Sequence, residues 1–309
     1  MRLVFAGTPD AAVPSLRLLA ASGHEIAAVV TRRDAPVGRK RVITPSPVAL
    51  VAEELGIDTV RTDRLDAAAT DRIAALAPDL GVIVAYGGLV REPLLSTPKS
   101  GWINLHFSLL PRWRGAAPVQ HALIAGDAVT GASVFQLVPA LDAGDVFAER
   151  EYPVPSTATA GEVLAALSEE GATLLRGVVD AIAARTAAAT PQAGEPTLAP
   201  KLGDDDGRIR WGESRGAVLA RIRGVTPEPG AHTTLDGARV KILAARAASD
   251  DAPNLEPGAL ALNGREVLAG TGTEPIVVDR VQPAGKGPMN AADWWRGRRD
   301  TGTPPRAGS

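Results

Sequence analysis

Cysteine is absent from the 309-residue sequence, which excludes a disulfide scaffold, a thiolate zinc site, an iron–sulfur cluster and a cysteine nucleophile. Long apolar runs are missing too. No stretch approaches the ~18 uninterrupted apolar residues of a membrane-spanning helix, and Met1 leads straight into Arg-Leu-Val-Phe-Ala-Gly, too short for the apolar core of a secretion signal. The expected location is the cytoplasm. No phosphate-binding Gly-x-x-x-x-Gly-Lys-[Ser/Thr] loop occurs, which argues against a common ATPase site. The turn after the first apolar run, Gly7-Thr8-Pro9-Asp10, has one glycine where a dinucleotide-binding turn has three, and Asp10 would repel a phosphate. The four histidines include no His-x-x-x-His pair, so no metal is expected. Internal repeats are also lacking.

What remains is an ordinary folded composition: 45% hydrophobic and 22% charged residues and a mean hydropathy of +0.03, well away from the disordered range. At ~100–200 residues per domain the length suggests two domains. Charge is distributed unevenly, with 18 Lys/Arg against 24 Asp/Glu in residues 1–206 and 15 against 11 in residues 207–309. A basic module joined to an acidic one hints at a polyanionic partner, although such a surplus alone is a weak footprint.

The first part alternates strand and helix patterns. Strands are expected at Arg2–Ala6, Glu25–Thr31, Asp58–Thr62, Leu80–Tyr86 and Gly101–Phe107, with helices at Asp10–Ala21, Pro47–Leu55, Asp66–Leu76 and Ala117–Ala125. The near-continuous apolar run at Leu80–Tyr86 is of the kind buried on both faces of a parallel sheet. Two further strands, Ala132–Val138 and Val146–Val154, suggest antiparallel additions, and Thr159-Ala-Gly-Glu162 opens a long helix to Ala184 with capping-box spacing. The fold class is α/β, a doubly wound, mostly parallel sheet over residues 1–186. Residues 187–206 are rich in turn formers and are expected to be a linker. Residues 207–309 combine a short strand at Ile209–Trp211, a helix at Glu213–Arg223 and several short strands with Asp236-Gly237 and Asn263-Gly264 turns, the pattern of a small OB-like β-barrel.

Candidate chemistry concentrates in Asn104-Leu105-His106-Phe107-Ser108-Leu109-Leu110-Pro111. Residues two apart on a strand share a face, so Asn104 and His106 point the same way near a carboxyl edge, where open α/β sheets bind ligands. The loop Leu141-Asp142-Ala143-Gly144-Asp145 lies between strands of the same domain. An aspartate beside His106 would raise its basicity or orient it, and Asn104 would donate to an oxyanion. The other histidines, His24, His121 and His232, have no acidic partner that the sequence places.

The segment Asn104 to Pro118 resembles the Asn-x-His…Ser-Leu-Leu-Pro pattern of the folate-dependent formyltransferase family. The likeness extends to Phe5–Asp10, Gly38-Arg39, Pro45-Ser46-Pro47, Leu141–Asp145 and Gln282–Lys286; Phe107 departs from it, where a small residue is expected. The resemblance implies a formyltransferase-like Rossmann domain that moves a formyl group from 10-formyltetrahydrofolate to the α-amine of methionyl initiator tRNA. Asn104, His106 and Asp142 take the catalytic positions of the motif, and Ser108, Leu109, Leu110 and Pro111 line the folate site. The loop Arg32–Arg41, with five cations in ten residues, is similar to the family's acceptor-stem-binding loop. Arg39 is then expected on a phosphate or end base, Lys40 and Arg41 on the backbone, and the cations from Arg208 to Arg299 along the tRNA body. Neither a metal nor a membrane is implied, and the chain is expected to act as a monomer. Two rivals stand beside this reading: a formyltransferase for a small amine, such as glycinamide ribonucleotide or an amino sugar, and a non-catalytic RNA-binding protein built on a retired α/β domain.

Overall fold

The computed structural model describes residues 1–38, 40–298 and 305–308. The chain divides into two compact units, the first Met1–Pro118, Val129–Pro153 and Leu164–Pro200, the second the described residues within Val119–Ala128, Val154–Val163 and Lys201–Ser309.

The first unit is built on strands β1 (Arg2–Gly7), β2 (Glu25–Thr31), β3 (Thr59–Arg61), β4 (Leu80–Val84), β5 (Trp102–His106), β6 (Val129–Gln136) and β7 (Val146–Pro153), in the spatial order β7-β6-β5-β4-β1-β2-β3. β3, β2, β1, β4 and β5 are parallel, whereas β5–β6 and β6–β7 are antiparallel. Strand order therefore reverses between β1 and β4, and their carboxyl ends are tied where Thr8 Oγ1 donates to Tyr86 O at 3.1 Å. Ligands of open α/β sheets bind at such a switch point. Leu3, Val4, Phe5 and Ala6 of β1 are all fully buried, as are Leu80, Val82 and Val84 of β4, because helices cover both faces. Each such large side chain stabilises the fold by about 1.5–3 kcal/mol.

Helix starts follow their caps. Ser46 Oγ accepts from Ala49 N at 3.0 Å to open α1 (Pro47–Glu54), and Asp66 Oδ1 accepts from Ala69 N at 3.0 Å to open α2 (Ala67–Ala75). The Asp10–Ala21 helix expected from the sequence begins as a 3₁₀ turn at Asp10–Ala12 and is α-helical over Val13–Ala20. α3 (Pro118–Ala125) falls almost wholly in the second unit. The capping box of α4 (Ala160–Ala183) forms as its spacing predicts: Thr159 N donates to Glu162 Oε2 at 2.8 Å and Glu162 N to Thr159 Oγ1 at 3.3 Å. Gly171 of α4 lets the helix lie close on Leu105 of β5, since an added Cβ would sit 3.0 Å from its side chain. His24 corrects the sequence reading: its Nε2 is 2.8 Å from Asp180 Oδ1 at the far end of α4.

The stretch expected to be a linker is hydrogen-bonded along the first unit. Thr190 pairs with Val146, and Leu198–Ala199 forms a short parallel ladder with Arg114–Gly115. Composition did not reveal this, because backbone pairing needs no apolar side chain.

In the second unit α5 (Arg215–Gly224) precedes β8 (His232–Leu235), β9 (Ala238–Ala247), β10 (Leu260–Asn263), β11 (Glu266–Ala269), β12 (Ile276–Pro283) and β13 (Met289–Asn290), followed by α6 (Ala291–Arg296). The antiparallel path is β8-β9-β12-β11-β10, with β13 on β12. Asp236 and Gly237 close the first hairpin at φ 51° and 74°, the left-handed pair that a two-residue turn of this hand requires. At the second hairpin Asn263 still pairs with Glu266, so the turn is Gly264-Arg265 and lies one residue later than the Asn-Gly dipeptide suggests. Ile209–Trp211 forms no strand; Ile209 N donates to His232 O at 2.9 Å and the segment continues as a turn. Trp211, Val218, Ile222, Val240, Ile242 and Val278 centre the core, with Trp294 and Trp295 packed against it.

A Cβ at Gly81 of β4 would lie 2.1 Å from the ring of Trp102, which is itself fully buried and donates through Nε1 to Leu94 O at 2.9 Å. Gly81→Ala is therefore expected to destabilise the protein by about 1–3 kcal/mol through overpacking, read as a lower urea midpoint; an unchanged midpoint would show that the ring moves aside freely.

Candidate active site

The carboxyl end of β5 carries Asn104 and His106 on one face, with Asn104 paired across the backbone to Ile83 on one side and Phe135 on the other. Asn104 is half-buried, and among the described residues no hydrogen bond occupies its amide. His106 is only 6% exposed. Its Nε2 lies 2.8 Å from Trp113 O. A carbonyl only accepts, so Nε2 carries the proton and the Nδ1 of a neutral ring is a lone pair. That Nδ1 faces Asp142 Oδ2 at 3.8 Å, while the same oxygen accepts a hydrogen bond from Gly115 N at 2.7 Å. The structure thus brings His106 and Asp142 together, across a long sequence interval, beside the open amide of Asn104.

Burial pushes the His106 imidazolium pKa below the ordinary histidine value; Asp142 and the Trp113 carbonyl oppose that shift without reversing it. The sequence reading named only the effect of an aspartate, which would raise the basicity of His106 or orient it. In the low-dielectric pocket desolvation wins, and His106 rests neutral.

Local backbone sets this geometry. Asp142 and Trp113 both occupy the left-handed region, at φ 43° and 61°, conformations that persist only when surroundings impose them. Gly144 packs against the end of β6 so closely that a Cβ would be 1.7 Å from Gln136 O, and at Gly115, φ 130°, a Cβ would be 2.5 Å from Ala199 O. Both glycines are thereby required for the Asp142 loop and its Gly115 donor to approach.

Ser108–Pro111, expected along the folate, is committed largely to the protein itself. Ser108 Oγ donates to Arg112 O at 2.6 Å, Leu110 N to Ser133 Oγ at 3.1 Å, and Pro111 O accepts from Thr197 N at 3.3 Å. Ser108, Leu110 and Pro111 are buried and Leu109 is half-buried, so the turn offers a wall more than hydrogen bonds. A cleft of 540 Å³ that sequence reasoning did not locate lies at the amino edge of β5, away from His106, lined by Leu95, Lys99, Gly101, Gln136, Leu137 and Pro139 among others. No motif marked it, because its lining comes from two stretches remote in sequence, 92–101 and 136–139. Among the described residues no group of His, Asp and Glu could hold a metal ion.

The basic loop rises as a small hairpin, Ala35–Val37 against Val42–Thr44, that leaves Val37, Val42 and Ile43 exposed. Lys40 and Arg41 are exposed at its tip, Arg41 at φ 49° with its N donating to Gly38 O at 3.1 Å. Arg39 lies outside the described residues. At the loop's base Arg32 donates to Gly87 O and to Asp63 O, and its guanidinium stands 5.8 Å over the Tyr86 ring. In the second unit most of the cations expected to track RNA carry acidic partners: Arg239 pairs with Asp204 at 2.6 Å, Arg298 with Asp236 at 2.9 Å, Arg208 with Asp205 at 3.3 Å and Arg215 with Glu274 at 3.7 Å. His232, given no partner by the sequence, stands 3.9 Å from Asp204.

The sequence profile described as "Formyl transferase" matches residues 1–179, and that described as "Formyl transferase, C-terminal domain" matches residues 201–299. The methionyl-tRNA formyltransferase of Clavibacter sepedonicus is 66% identical over 297 residues, covering 96% of this chain and 97% of that protein. The one from Mycobacterium sp. (strain KMS) is 50% identical over 302 residues, 97% of either chain. Among solved structures, the N-formyltransferase from Helicobacter canadensis in complex with folinic acid and dTDP-3-aminofucose superposes with a TM-score of 0.68 over 91% of this chain and 98% of that one, at 15% identity. At that identity the likeness shows the fold alone. With both profiles matched and near-full-length relatives sharing half or more of its residues, the chain belongs to the formyl transferase family, in its methionyl-tRNA formyltransferase branch.

Proposed function

We propose that the protein transfers the formyl group of 10-formyltetrahydrofolate to the α-amine of methionyl initiator tRNA, with Asn104, His106 and Asp142 as its catalytic residues. One observation carries the reading of the site: in a chain 66% identical to a methionyl-tRNA formyltransferase, Asp142 stands 3.8 Å from the free ring nitrogen of His106, on the strand that also presents Asn104. The co-substrate supplies the formyl carbon on its N10 and the aminoacyl end supplies the attacking amine. Asn104, its amide unoccupied by the protein, donates to the formyl oxygen as negative charge develops there. His106, neutral and protonated on Nε2, takes the amine proton on Nδ1. The resulting imidazolium keeps an acceptor on each side, Trp113 O and Asp142, and its Nδ1 proton is then available to the departing N10. The amine nitrogen thus gains the formyl carbon, N10 loses it, and one proton passes between them through His106.

Residues 1–186 act as the catalytic domain and residues 207–309 as an RNA-binding domain. Within the first unit Ser108, Leu109, Leu110 and Pro111 form a firm wall for the folate, held by their own hydrogen bonds. Arg39, Lys40 and Arg41 meet the acceptor stem. Exposed ion pairs are worth about 0–1 kcal/mol, so phosphates can displace the carboxylates that hold the arginines of the second unit. No helix among the described residues is long and apolar enough to cross a membrane, and translation initiation places the working protein in the cytoplasm.

His106→Ala and Asp142→Asn are each expected to lower kcat by about 10²–10⁴ with the thermal midpoint retained, measured as formation of N-formylmethionyl-tRNA; near-normal turnover by both would defeat the mechanism. Because burial lowers the His106 pKa, ¹⁵N NMR should find a neutral ring protonated on Nε2 at pH 7 that titrates below about 6.5. Asp142→Asn, which removes the charge opposing that shift, should move the midpoint lower still. Finally, Lys40→Ala and Arg41→Ala should weaken tRNA binding at an unchanged folate KM and each reduce the slope of log affinity against log salt by about 1. An unchanged slope would count against phosphate contacts at the tip.

A further inference from the structure

Gln192 stands in a segment that composition marks as a connector, yet every hydrogen-bonding position of its amide is used. Nε2 donates to Asp142 O at 2.8 Å and to Gly144 O at 2.8 Å; Oε1 accepts from Arg114 Nε at 3.1 Å and Arg114 Nη2 at 2.6 Å. The orientation of this amide is fixed by chemistry, because the reverse would set an acceptor against two carbonyls and donors against a guanidinium. The two sides it joins are those that flank His106. One is the left-handed turn holding the Asp142 carboxylate. The other is the Trp113–Gly115 strip, whose first residue accepts from His106 and whose last donates to Asp142. Thr197 supports the same strip, accepting from Trp113 N through Oγ1 at 2.9 Å and from Arg114 N through its carbonyl at 2.8 Å.

We infer that Gln192 is a positioning residue of the formyl transfer, a clamp that holds the Asp142 turn and the Arg114 strip at the spacing that keeps the carboxylate on His106. The inference rests on the catalytic reading of His106 and Asp142. Gln192 touches neither the ring nor the carboxylate, so it acts on their separation and not on the binding of either substrate. The segment 190–199 thereby belongs to the catalytic apparatus as well as to the connection between the two matched regions.

The test uses the full chain with Gln192→Met, which keeps the length and removes the polarity, and Gln192→Glu, which keeps the acceptor for Arg114 and removes both donors. If the first folds poorly, the second still reads the clamp. Each is expected to lose about 10- to 100-fold in kcat, the scale of a displaced catalytic group, with KM for folate and methionyl-tRNA and the melting temperature unchanged. In Gln192→Met the ¹⁵N titration of His106 should move down toward that of Asp142→Asn, and combining Gln192→Met with Asp142→Asn should add no further loss. An unmoved His106 titration, a rise in KM at constant kcat, or additive losses in the double variant would overturn the clamp. A moved titration with undiminished kcat would overturn instead the catalytic reading beneath it.

Discussion

The imidazole of His106 is nearly withdrawn from water and has a fixed oxygen on each side, the Trp113 carbonyl at 2.8 Å and the Asp142 carboxylate at 3.8 Å. Two opposed effects meet there. Desolvation disfavours the charged ring, and the carboxylate favours it; the first is larger, so the resting ring is neutral. The balance suits a group that must accept a proton and then surrender it. An imidazolium held permanently by a close carboxylate could not take the amine proton, and a neutral ring without Asp142 would leave the charged state unsupported at the moment of transfer.

Holding that balance places demands on backbone well away from the ring. The Asp142 turn is left-handed, Gly144 presses against Gln136, and Gly115 lies against Ala199. Any of these close approaches would be lost to a side chain larger than hydrogen. Strain of this kind is maintained by surrounding structure, and here that structure includes the polar strip from Thr190 to Ala199, which is hydrogen-bonded to both partners of the histidine. A short ladder and one glutamine amide do work that an apolar core cannot do at a site open to substrate.

Electrostatics of the second unit follow a different logic. Its surplus of cations, read from the sequence, suggests a continuous positive track, but the fold sets carboxylates beside most of them. Exposed pairs are weak, so a polyanion gains from displacing several acidic partners together, and net charge measures the track better than a count of arginines.

Much of the first unit was legible in the sequence. Glu25–Thr31 was read to the residue and the other strands within two residues at either end, except that Val129–Gln136 begins three residues before the expected Ala132, because β-branched runs buried on both faces leave few alternatives. Helix starts followed the caps at Ser46, Asp66 and Thr159, whose side chains act on backbone a few residues away. The sequence also marked Asn104 and His106 as neighbours on one face, since that follows from strand geometry, and Asp142 as a loop residue worth bringing to them. Local chemistry and family likeness sufficed for these. Only the tertiary structure decided that His106 rests neutral, that His24 and His232 have aspartate neighbours, that the arginines of the second unit are largely paired, and that Gln192 holds the Asp142 turn. Each of these is a matter of distance or dehydration between residues remote in the chain, quantities set by the packed fold and invisible to any local pattern.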